Sequence, residues 1–449
     1  MEGSPMDAHE GEPDRGTDPA PGDEAVRFCR DLIRIDTSNY GDGSGPGERK
    51  AAELVAGLLA EVGLEPQVFE RLPGRTNLAL RIEGTDPDRP GLLVHGHLDV
   101  VPAQADDWAV HPFAGEERDG CLWGRGAVDM KGMDAMILAC VRDLARTGRR
   151  PPRDLVVVFT ADEEAGGLDG AHWLVSEHPD LFEGVSEAIS EVGGFSVEAF
   201  GRRAYLLQTA EKGIAWLRLV ARGRAGHGSQ LNDDNAVTRL CAAIARIGAH
   251  EWPREVTPTM QAFLDGVADV FGFPLPIDNP PAMEAALGTT ARWIGASMQN
   301  TANPTRLEAG YKQNVIPGTA SALIDCRFLP GREEELMATI RDLAGDGVDV
   351  EVVHRDVALE APTVSPLIAL MAEVLAAEDP QARVIPYCLS GGTDNKAYSR
   401  LGIRGYGFAP LRLPAGLNFA GMFHGVDERV PLDALRFGTR VLGRFLQSC

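Results

Sequence analysis

A continuous apolar run decides the fold of this chain: Asp154-Leu155-Val156-Val157-Val158-Phe159-Thr160. Such a run is typical of a central strand that is buried on both faces of a parallel or mixed sheet. Other predicted strands, among them Asn77 to Ile82, are separated from it by helical segments such as Lys131 to Thr147. Strands that alternate with helices indicate a layered α/β domain.

Near Glu211 the order of predicted strands and helices departs from that of the layered α/β domain, and after Pro362 it returns to it. Between these points, predicted strands such as Thr319 to Phe328 and predicted helices form a small α+β unit with the order β-α-β-β-α-β. The segment from His250 to Pro304 is dense in Pro, Gly and aromatic residues, so we expect an elaborated loop inside this unit. The predicted domains are therefore a larger one from residues 25–211 and 360–449, and an inserted one from residues 212–359.

Composition and charge exclude several classes of function. Residues 1–25 hold eight Asp or Glu and one Arg beside several Pro and Gly, which indicates a disordered acidic tail over residues 1–24. The formal net charge of −23 argues against nucleic-acid and anionic-membrane partners. No run approaches the ~18 apolar residues of a membrane helix. The seven cysteines form no C-x-x-C pair, so the expected compartment is the reducing cytoplasm.

A second apolar run, from Leu92 to Pro102, ends in polar residues. His97 and Asp99 lie two positions apart, so in a strand they point to the same face. A metal-bound imidazole usually donates its other N–H to an acceptor, and a carboxylate at this spacing suits that role. His95 shares the same face, and the alternative is a buried strand whose last residues are polar.

Four further acids and one late histidine complete the pattern. Asp129 follows a Gly-rich stretch and opens a helix, where an ordinary N-cap is the alternative role. Glu163 and Glu164 follow the first apolar run, and adjacent carboxylates repel each other unless a cation neutralises one of them or one stays protonated. A ligand beside a general base is typical of zinc hydrolases, whereas an exposed acidic turn is the alternative. Glu191 and His424 are weak signals when taken alone.

Taken in order, these motifs resemble the family of dinuclear zinc metallopeptidases that includes acetylornithine deacetylase, succinyl-diaminopimelate desuccinylase, aminoacylases and carboxypeptidases. The resemblance covers roughly residues 25–449. It implies a three-layer α/β catalytic domain with an inserted α+β (ferredoxin-like) lid and dimerisation domain. It also implies a homodimer and two zinc ions per subunit, with cobalt or manganese as substitutes.

The resemblance gives each motif residue a role. Implied ligands are His97 and Glu191 for one zinc ion, Glu164 and His424 for the other, and Asp129 for both. Glu163 is similar to the general base, and Asp99 to the residue that orients the His97 ring. The family places its ligand directly after Gly96, which selects His97 over His95. A cis peptide bond is implied after Asp129.

The inserted domain contributes residues as well. His227 resembles a histidine that stabilises the oxyanion in the partner subunit's active site, and its alternative role is that of a loop histidine. Asn314 and Arg327 match positions that hold the substrate, and the planar fork of an arginine binds a carboxylate through two N–H groups. A short predicted helix follows Gly391, Gly392 and Thr393, and the backbone N–H groups of these residues would hold the same anion. The alternative is that this segment is a simple Gly-rich N-cap.

The expected activity is zinc-dependent hydrolysis of the amide bond in a small peptide or N-acyl amino acid that has a free carboxylate. Within this activity the sequence leaves open a dipeptidase or carboxypeptidase, an aminoacylase, and a biosynthetic deacylase of the acetyl or succinyl type. A non-enzymatic scaffold is the remaining alternative. Such a scaffold would be expected to have lost a ligand or the base, and all of the inferred residues are present.

Overall fold

The computed structural model of the protein describes residues 19–199, 201–287 and 294–449. Most of the predicted acidic tail, residues 1–18, lies outside the described residues. The first helix begins at Pro21, so it includes residues 21–24 of the segment predicted to be a disordered tail. A proline in the first turn, followed by Asp23 and Glu24, suits the start of a helix because the ring presets the backbone and the acids face the positive end of the helix dipole.

The helices of the described residues are, in chain order, α1 (Pro21–Ile33), α2 (Arg49–Ala60), α3 (Lys131–Thr147), α4 (Ala171–Glu177), α5 (Ala236–Gly248), α6 (Pro258–Phe271), α7 (Pro280–Leu287), α8 (Glu333–Ala344), α9 (Pro366–Glu378), α10 (Asn395–Ser399) and α11 (Leu432–Ser448). The strands are β1 (Gln67–Glu70), β2 (Thr76–Ile82), β3 (Gly91–His97), β4 (Glu116–Arg118), β5 (Cys121–Trp123), β6 (Leu155–Thr160), β7 (Val185–Ser190), β8 (Phe195–Ala199), β9 (Arg202–Glu211), β10 (Gly213–Arg222), β11 (Gly226–His227), β12 (Thr301–Ala309), β13 (Val315–Ile316), β14 (Thr319–Phe328), β15 (Val348–Asp356), β16 (Leu359–Glu360), β17 (Val384–Leu389), β18 (Arg404–Gly407) and β19 (Arg429–Pro431).

A mixed ten-stranded sheet forms the centre of the larger unit. Its strand order is β1-β2-β6-β3-β7-β18-β9-β16, with β8 and β17 also paired to β9. Strand β3 runs parallel to both of its neighbours, β6 and β7. Every residue of β3 and β6 is buried, which confirms the central strand that the valine run predicts.

Two separate apolar cores cover the faces of this sheet. Val157 of β6 packs into a core that includes residues of α1, α3 and α11. Its neighbours Val156 and Val158 pack into a second core with residues of α4 and Tyr398. Alternate residues of a strand point to opposite faces, so a continuous apolar run is the pattern that two covered faces require. The predicted three-layer α/β fold is confirmed.

The inserted unit (residues 213–249 and 301–356) has its own sheet and core. Its elements follow the predicted β-α-β-β-α-β order, and its sheet is antiparallel with the order β12-β14-β10-β15. Residues of α5 and α8 share a core with Leu217, Leu219 and Ile324 of the sheet. This arrangement is the ferredoxin-like pattern that the sequence predicts.

The segment from His250 to Pro304 differs from its prediction as a loop of the inserted unit. It contains α6 and α7, and α6 contacts β9 and β17 of the larger sheet. Met260, Phe263 and Val267 are buried in the larger unit's core. They lie three and four positions apart, so they form one apolar helical face, and the Thr257 hydroxyl caps the helix. The loop prediction is therefore wrong.

Within the described part of the chain, no helix combines the length and the apolar character that a membrane span requires.

Candidate active site and metal centre

Three neighbouring parallel strands bring the predicted site residues together. His97 is the last residue of β3, Glu163 and Glu164 follow the end of β6, and Glu191 directly follows β7. Ligands of α/β sheets bind at the carboxyl ends of such strands, because the chain leaves the sheet there in loops that carry side chains. Asp129 joins this group from the segment that precedes α3.

Asp129 lies between two histidine rings. Its Oδ1 is 3.2 Å from Nε2 of His97, and its Oδ2 is 3.3 Å from Nε2 of His424. On one side, Oε2 of Glu191 is 3.7 Å from the His97 nitrogen. On the other side, Oε2 of Glu164 is 3.0 Å from the His424 nitrogen. The five residues thus form two adjoining sets of donor atoms with the Asp129 carboxylate between them. The Asp129–Met130 peptide bond is cis, as the resemblance implies.

Donor atoms of two triads within this cluster lie close enough to hold a metal ion. Those of His97, Asp129 and Glu164 all lie within 4.8 Å of one another. The same holds for His97, Glu163 and Glu191. The carboxylate predicted to be the general base therefore borders the metal position, with Oε2 of Glu163 at 3.9 Å from Nε2 of His97.

The charge of this cluster is unbalanced without a cation. Burial and the neighbouring carboxylates raise the pKa of Glu163 well above its usual value and that of Glu191 to about 8. Burial alone would also raise the pKa of Asp129, but hydrogen bonds to His424 and His97 hold it below its usual value. Buried acids that face one another need positive charge nearby, and divalent cations supply it.

The two histidines respond to the same acids. Hydrogen bonds to Asp129 and Glu164 raise the pKa of His424 to about 10. Burial lowers the pKa of His97, but hydrogen bonds to Asp129, Asp99 and Glu191 outweigh burial and raise it well above its usual value. The Nε2 atom of each ring faces carboxylate oxygens, so it holds either a proton or a metal ion between itself and them. Nitrogen and oxygen donors in this arrangement fit zinc, which takes ligands of both kinds.

Asp99 contacts both the His97 ring and the loop after β6. Nδ1 of His97 is 3.0 Å from the backbone oxygen of Asp99 and 3.5 Å from its Oδ1. The Asp99 carboxylate accepts the backbone N–H groups of Glu163 and Glu164, each at 3.1 Å. The Asn39 side chain donates to it at 2.9 Å. Asp99 thus positions the acids as well as the ring.

His95 lies apart from the donor groups. Its Nε2 is 2.9 Å from Oδ1 of Asn395, and its ring packs against that of Tyr398 with centroids 4.7 Å apart. Burial lowers the pKa of His95 to about 4, so its ring is neutral. These contacts agree with the choice of His97 rather than His95.

Sequence reasoning missed Glu428. Its buried carboxylate accepts the backbone N–H groups of Gly126, Val128 and Asp129 at 2.7–3.0 Å and the Arg125 guanidinium at 2.7 Å. It therefore shapes the backbone that presents Asp129. Glu428 lies only four residues after His424, and this position beside a predicted ligand is the signal in the sequence that could have indicated its role.

The predicted residues of the inserted unit lie at opposite ends of its sheet. Arg327 pairs with Ile214 near the start of β10, whereas Thr319 pairs with Arg222 at its far end. Eight residues at ~3.4 Å each separate these ends by roughly 27 Å. The exposed His227 follows the far end, where β11 pairs with β13 beside Asn314. One chain therefore does not bring His227 and Arg327 together.

Two predicted substrate contacts already have partners within the chain. The Nε and Nη2 atoms of Arg327 donate to the Asp325 carboxylate at 2.6 and 3.0 Å. The backbone N–H and the hydroxyl of Thr393 both donate to Glu211, at 2.7 and 3.0 Å. Gly391 and Gly392 lie directly before Thr393, after the end of β17.

A centre of two histidines and four acids, beside the carboxyl ends of parallel strands and open to solvent at His424, defines the class of protein as a metal-dependent hydrolase. Residues 93–448 match the peptidase family M20/M25/M40. This match spans most of the chain, so the chain belongs to that family. The recognition from the motifs is confirmed, and with it the enzyme class of metallopeptidases and aminoacylases.

The chain is also similar to individual proteins over nearly its whole length. It is 28% identical to aminoacylase-1 of Pongo abelii over 443 residues, which is 94% of this chain and 95% of the relative. Its fold is similar to that of the M20 family metallo-carboxypeptidase Sso-CP2 of Sulfolobus solfataricus, with a TM-score of 0.74, 17% identity, and 94% and 98% of the two chains covered. It is likewise similar to that of YXEP of Bacillus subtilis, a dinuclear metal-binding peptidase, with a TM-score of 0.59, 14% identity, and 95% and 98% covered.

Proposed function

We propose that this protein hydrolyses the amide bond of a small peptide or N-acyl amino acid that has a free carboxylate. The observation that carries the proposal is the position of Asp129 between His97 and His424, with Glu163 beside the same centre. The names of the similar proteins support both substrate classes, since they include an aminoacylase and a carboxypeptidase.

The proposed centre would hold two zinc ions, with cobalt or manganese as substitutes. His97 and Glu191 would bind one ion, Glu164 and His424 the other, and Asp129 both. When bound, such ions lower the pKa of a water molecule and polarise a carbonyl group. The side chain of His424 is 57% exposed, so the centre opens to solvent on that side.

Glu163 would act as the general base. Its carboxylate would take the proton of the attacking water and deliver it to the nitrogen of the leaving amine, which breaks the amide bond. Asp99 supports this role, because it holds the backbone N–H of Glu163 as well as that of Glu164. The base is thereby fixed relative to the ligand next to it.

The inserted unit would act as a lid that binds the substrate. Arg327 would bind the substrate carboxylate through the guanidinium edge that Asp325 leaves open, and His227 and Asn314 would contact the reacting carbonyl from a second subunit. Gly391, Gly392 and Thr393 are the remaining proposed substrate contacts. For Thr393 this would require a rearrangement, because its N–H and hydroxyl both donate to Glu211.

We propose a homodimer that forms through the inserted unit. Within the described residues β12 pairs with β14 alone, and seven of its nine residues are exposed, which leaves an open sheet edge. Leu307 on this strand, and Leu231 and Tyr311 near His227, are large apolar side chains with more than half of their surface exposed. The cytoplasm is the proposed compartment, since all seven cysteines are free thiols.

The test replaces the base and leaves the ligands in place. Glu163→Gln should keep the fold and the bound metal but lose at least about 100-fold in kcat. The matched control is Glu65→Gln, because Glu65 is exposed on the larger unit. Metal content, circular dichroism and turnover are measured for both variants, and turnover is screened on dipeptides and on N-acetyl, N-succinyl and long-chain N-acyl amino acids. Near-parental turnover by Glu163→Gln would contradict the mechanism.

A further inference from the structure

The chain passes between its two units at two adjacent points. It enters the inserted unit through Lys212, between β9 and β10, and leaves it through Val357, between β15 and β16. Strand β16 pairs with the end of β9, where Leu359 lies opposite Glu211. The two connections therefore lie side by side, and their geometry sets the orientation of the inserted unit.

One buried side chain contacts both connections. Nζ of Lys396 donates to the backbone oxygen of Lys212 at 2.7 Å and to that of Val357 at 2.8 Å. It also lies 3.4 Å from Oε2 of Glu211 at the end of β9. An ammonium group has three hydrogens to donate, and here the three acceptors belong to the two connections and to the strand between them. Lys396 is only 3% exposed, so water competes little for these bonds.

The residues before Lys396 are fixed to the catalytic strands. Oδ2 of Asp394 accepts the hydroxyl of Thr160 at 2.7 Å, at the end of β6 and three residues before Glu163. Oδ1 of Asn395 is 2.9 Å from Nε2 of His95 on β3, two residues before His97. Thr393 donates twice to Glu211. The segment 393–396 is thus bonded to two of the three strands that carry site residues, β3 and β6, and to both connections.

We infer that Lys396 is a positioning residue that fixes the inserted unit at the orientation in which its residues meet the substrate. The inference rests on the proposed function in one respect, namely that the inserted unit supplies Arg327 to the substrate. Lys396 acts through backbone oxygens of the connections and touches neither substrate nor metal. Glu211 shares this role, because it holds Lys396 and Thr393 together.

The test compares the orientation of the inserted unit in the full chain. Lys396→Met keeps a long apolar side chain and removes the three donors, and Glu211→Gln is the second, milder variant. Arg203→Met is the matched control, because it removes a cation that pairs with Asp379 and Glu198 in the larger unit, away from the connections. Metal content and melting temperature are measured for all of them.

Spin labels report the orientation directly. One label is attached to the exposed Cys241 on α5, and the other to a cysteine introduced by Lys50→Cys on α2, in a Cys121→Ser background. Labelled chains are diluted with unlabelled chains, so that the measured distances lie within one chain. The parent and Arg203→Met should give the same narrow distance distribution. Lys396→Met and Glu211→Gln should broaden or shift it at unchanged metal content.

The kinetic readout is separate from the distance readout. Lys396→Met should lower kcat/KM for a carboxylate-bearing substrate by about 100-fold, mainly through KM, since a small misplacement of binding groups has an effect of that size. An unchanged distance distribution in Lys396→Met and Glu211→Gln overturns the inference, and so does an equal broadening in Arg203→Met. If the parent hydrolyses no amide, the proposed function fails while the distances still decide the role of Lys396.

Discussion

Asp99 holds Glu163 through the protein backbone: its Oδ1 accepts the Glu163 N–H at 3.1 Å. Its Oδ2 accepts the N–H of Glu164 at the same distance. Because the backbone oxygen of Asp99 also faces Nδ1 of His97 at 3.0 Å, one residue fixes the ring and both acids. The proposed base and two proposed ligands are thus positioned from a single point at the end of β3.

Asp99→Asn tests this relationship. An amide has one oxygen acceptor, so its NH₂ group would face the N–H of either Glu163 or Glu164 without a hydrogen bond. We expect 10–100-fold weaker metal binding or activity, the usual effect of changing a residue that supports metal ligands. Metal titration and kcat/KM measure it, and Asp106→Asn, at an exposed position, is the control. Parental values in Asp99→Asn would exclude the shared role.

The proposed sharing of Asp129 predicts how many metal ions each variant keeps. The dialysed parent should contain about two ions per chain, His424→Ala about one, and Asp129→Ala close to none, because only the last change affects both sites. Elemental analysis by mass spectrometry measures these ratios. A chelator should abolish activity, and zinc, cobalt or manganese should restore it to different degrees. Two ions retained in Asp129→Ala would contradict the bridging role.

Much of the fold follows from local patterns that the sequence carries openly. The prediction of β14 agrees at both ends, from Thr319 to Phe328, and the valine run gave β6. Patterns failed where burial depends on distant partners. The apolar face of α6 lies in a Pro- and Gly-rich segment, and it becomes interpretable only once β9 and β17 cover it. In the same way, the role of Glu428 depends on the backbone N–H groups of Val128 and Asp129 that it accepts, and these lie some 300 positions earlier in the chain.

In the candidate site, too, local motifs could be interpreted from the sequence, whereas contacts between distant segments could not. Motif order picks out His97 and acids that the structure brings close to it, because several of these residues follow strand ends. The bonds from Thr393 and Lys396 to Glu211 could not be predicted, because they join two segments that the sequence separates by more than 180 positions. The Gly-rich turn that ends at Thr393 precedes a short helix and so predicts an anion site. Nothing in the neighbouring sequence indicates that the buried Glu211 already accepts the N–H and the hydroxyl of Thr393.

Gly96 is predicted to be intolerant of any side chain. A Cβ at this position would collide with the carboxyl group of Asp134 and lie 2.8 Å from Cε of Met130. Gly96→Ala should therefore displace the end of β3 and lower metal content and melting temperature. The double variant Gly96→Ala/Asp134→Ala should recover part of both losses, since it removes the group with which the new Cβ collides. Absence of any recovery would show that Asp134 is not the cause.

Thiol reactivity should separate the cysteines by burial. Burial raises the pKa of the thiols of Cys29, Cys140 and Cys449. It raises the pKa of the thiols of Cys326 and Cys388 to about 12. The thiolate is the reactive form, so these five should resist alkylation of the native protein at pH 8. Iodoacetamide followed by peptide mass mapping should modify the exposed Cys241 first and the partly buried Cys121 more slowly. Fast modification of Cys140 or Cys326 would contradict the described packing.

The separation of His227 from Arg327 within one chain predicts complementation between two inactive variants. His227→Ala subunits keep the base, and Glu163→Gln subunits keep the histidine. If His227 acts across the dimer, each variant is inactive alone, while a mixed dimer contains one site with both groups intact. After random exchange at equal amounts, half of the dimers are mixed, so about a quarter of the parental activity should appear.

The measurement mixes the two purified variants under conditions that allow subunit exchange and follows hydrolysis over time, with size-exclusion chromatography to establish the dimer. In the first control, each variant is mixed only with itself. In the second control, Leu307→Lys adds a charge to the exposed edge of β12 in both variants, which should weaken the dimer and remove the recovered activity. If His227 acted within its own chain, a mixed dimer would contain no complete site and the mixture would stay inactive.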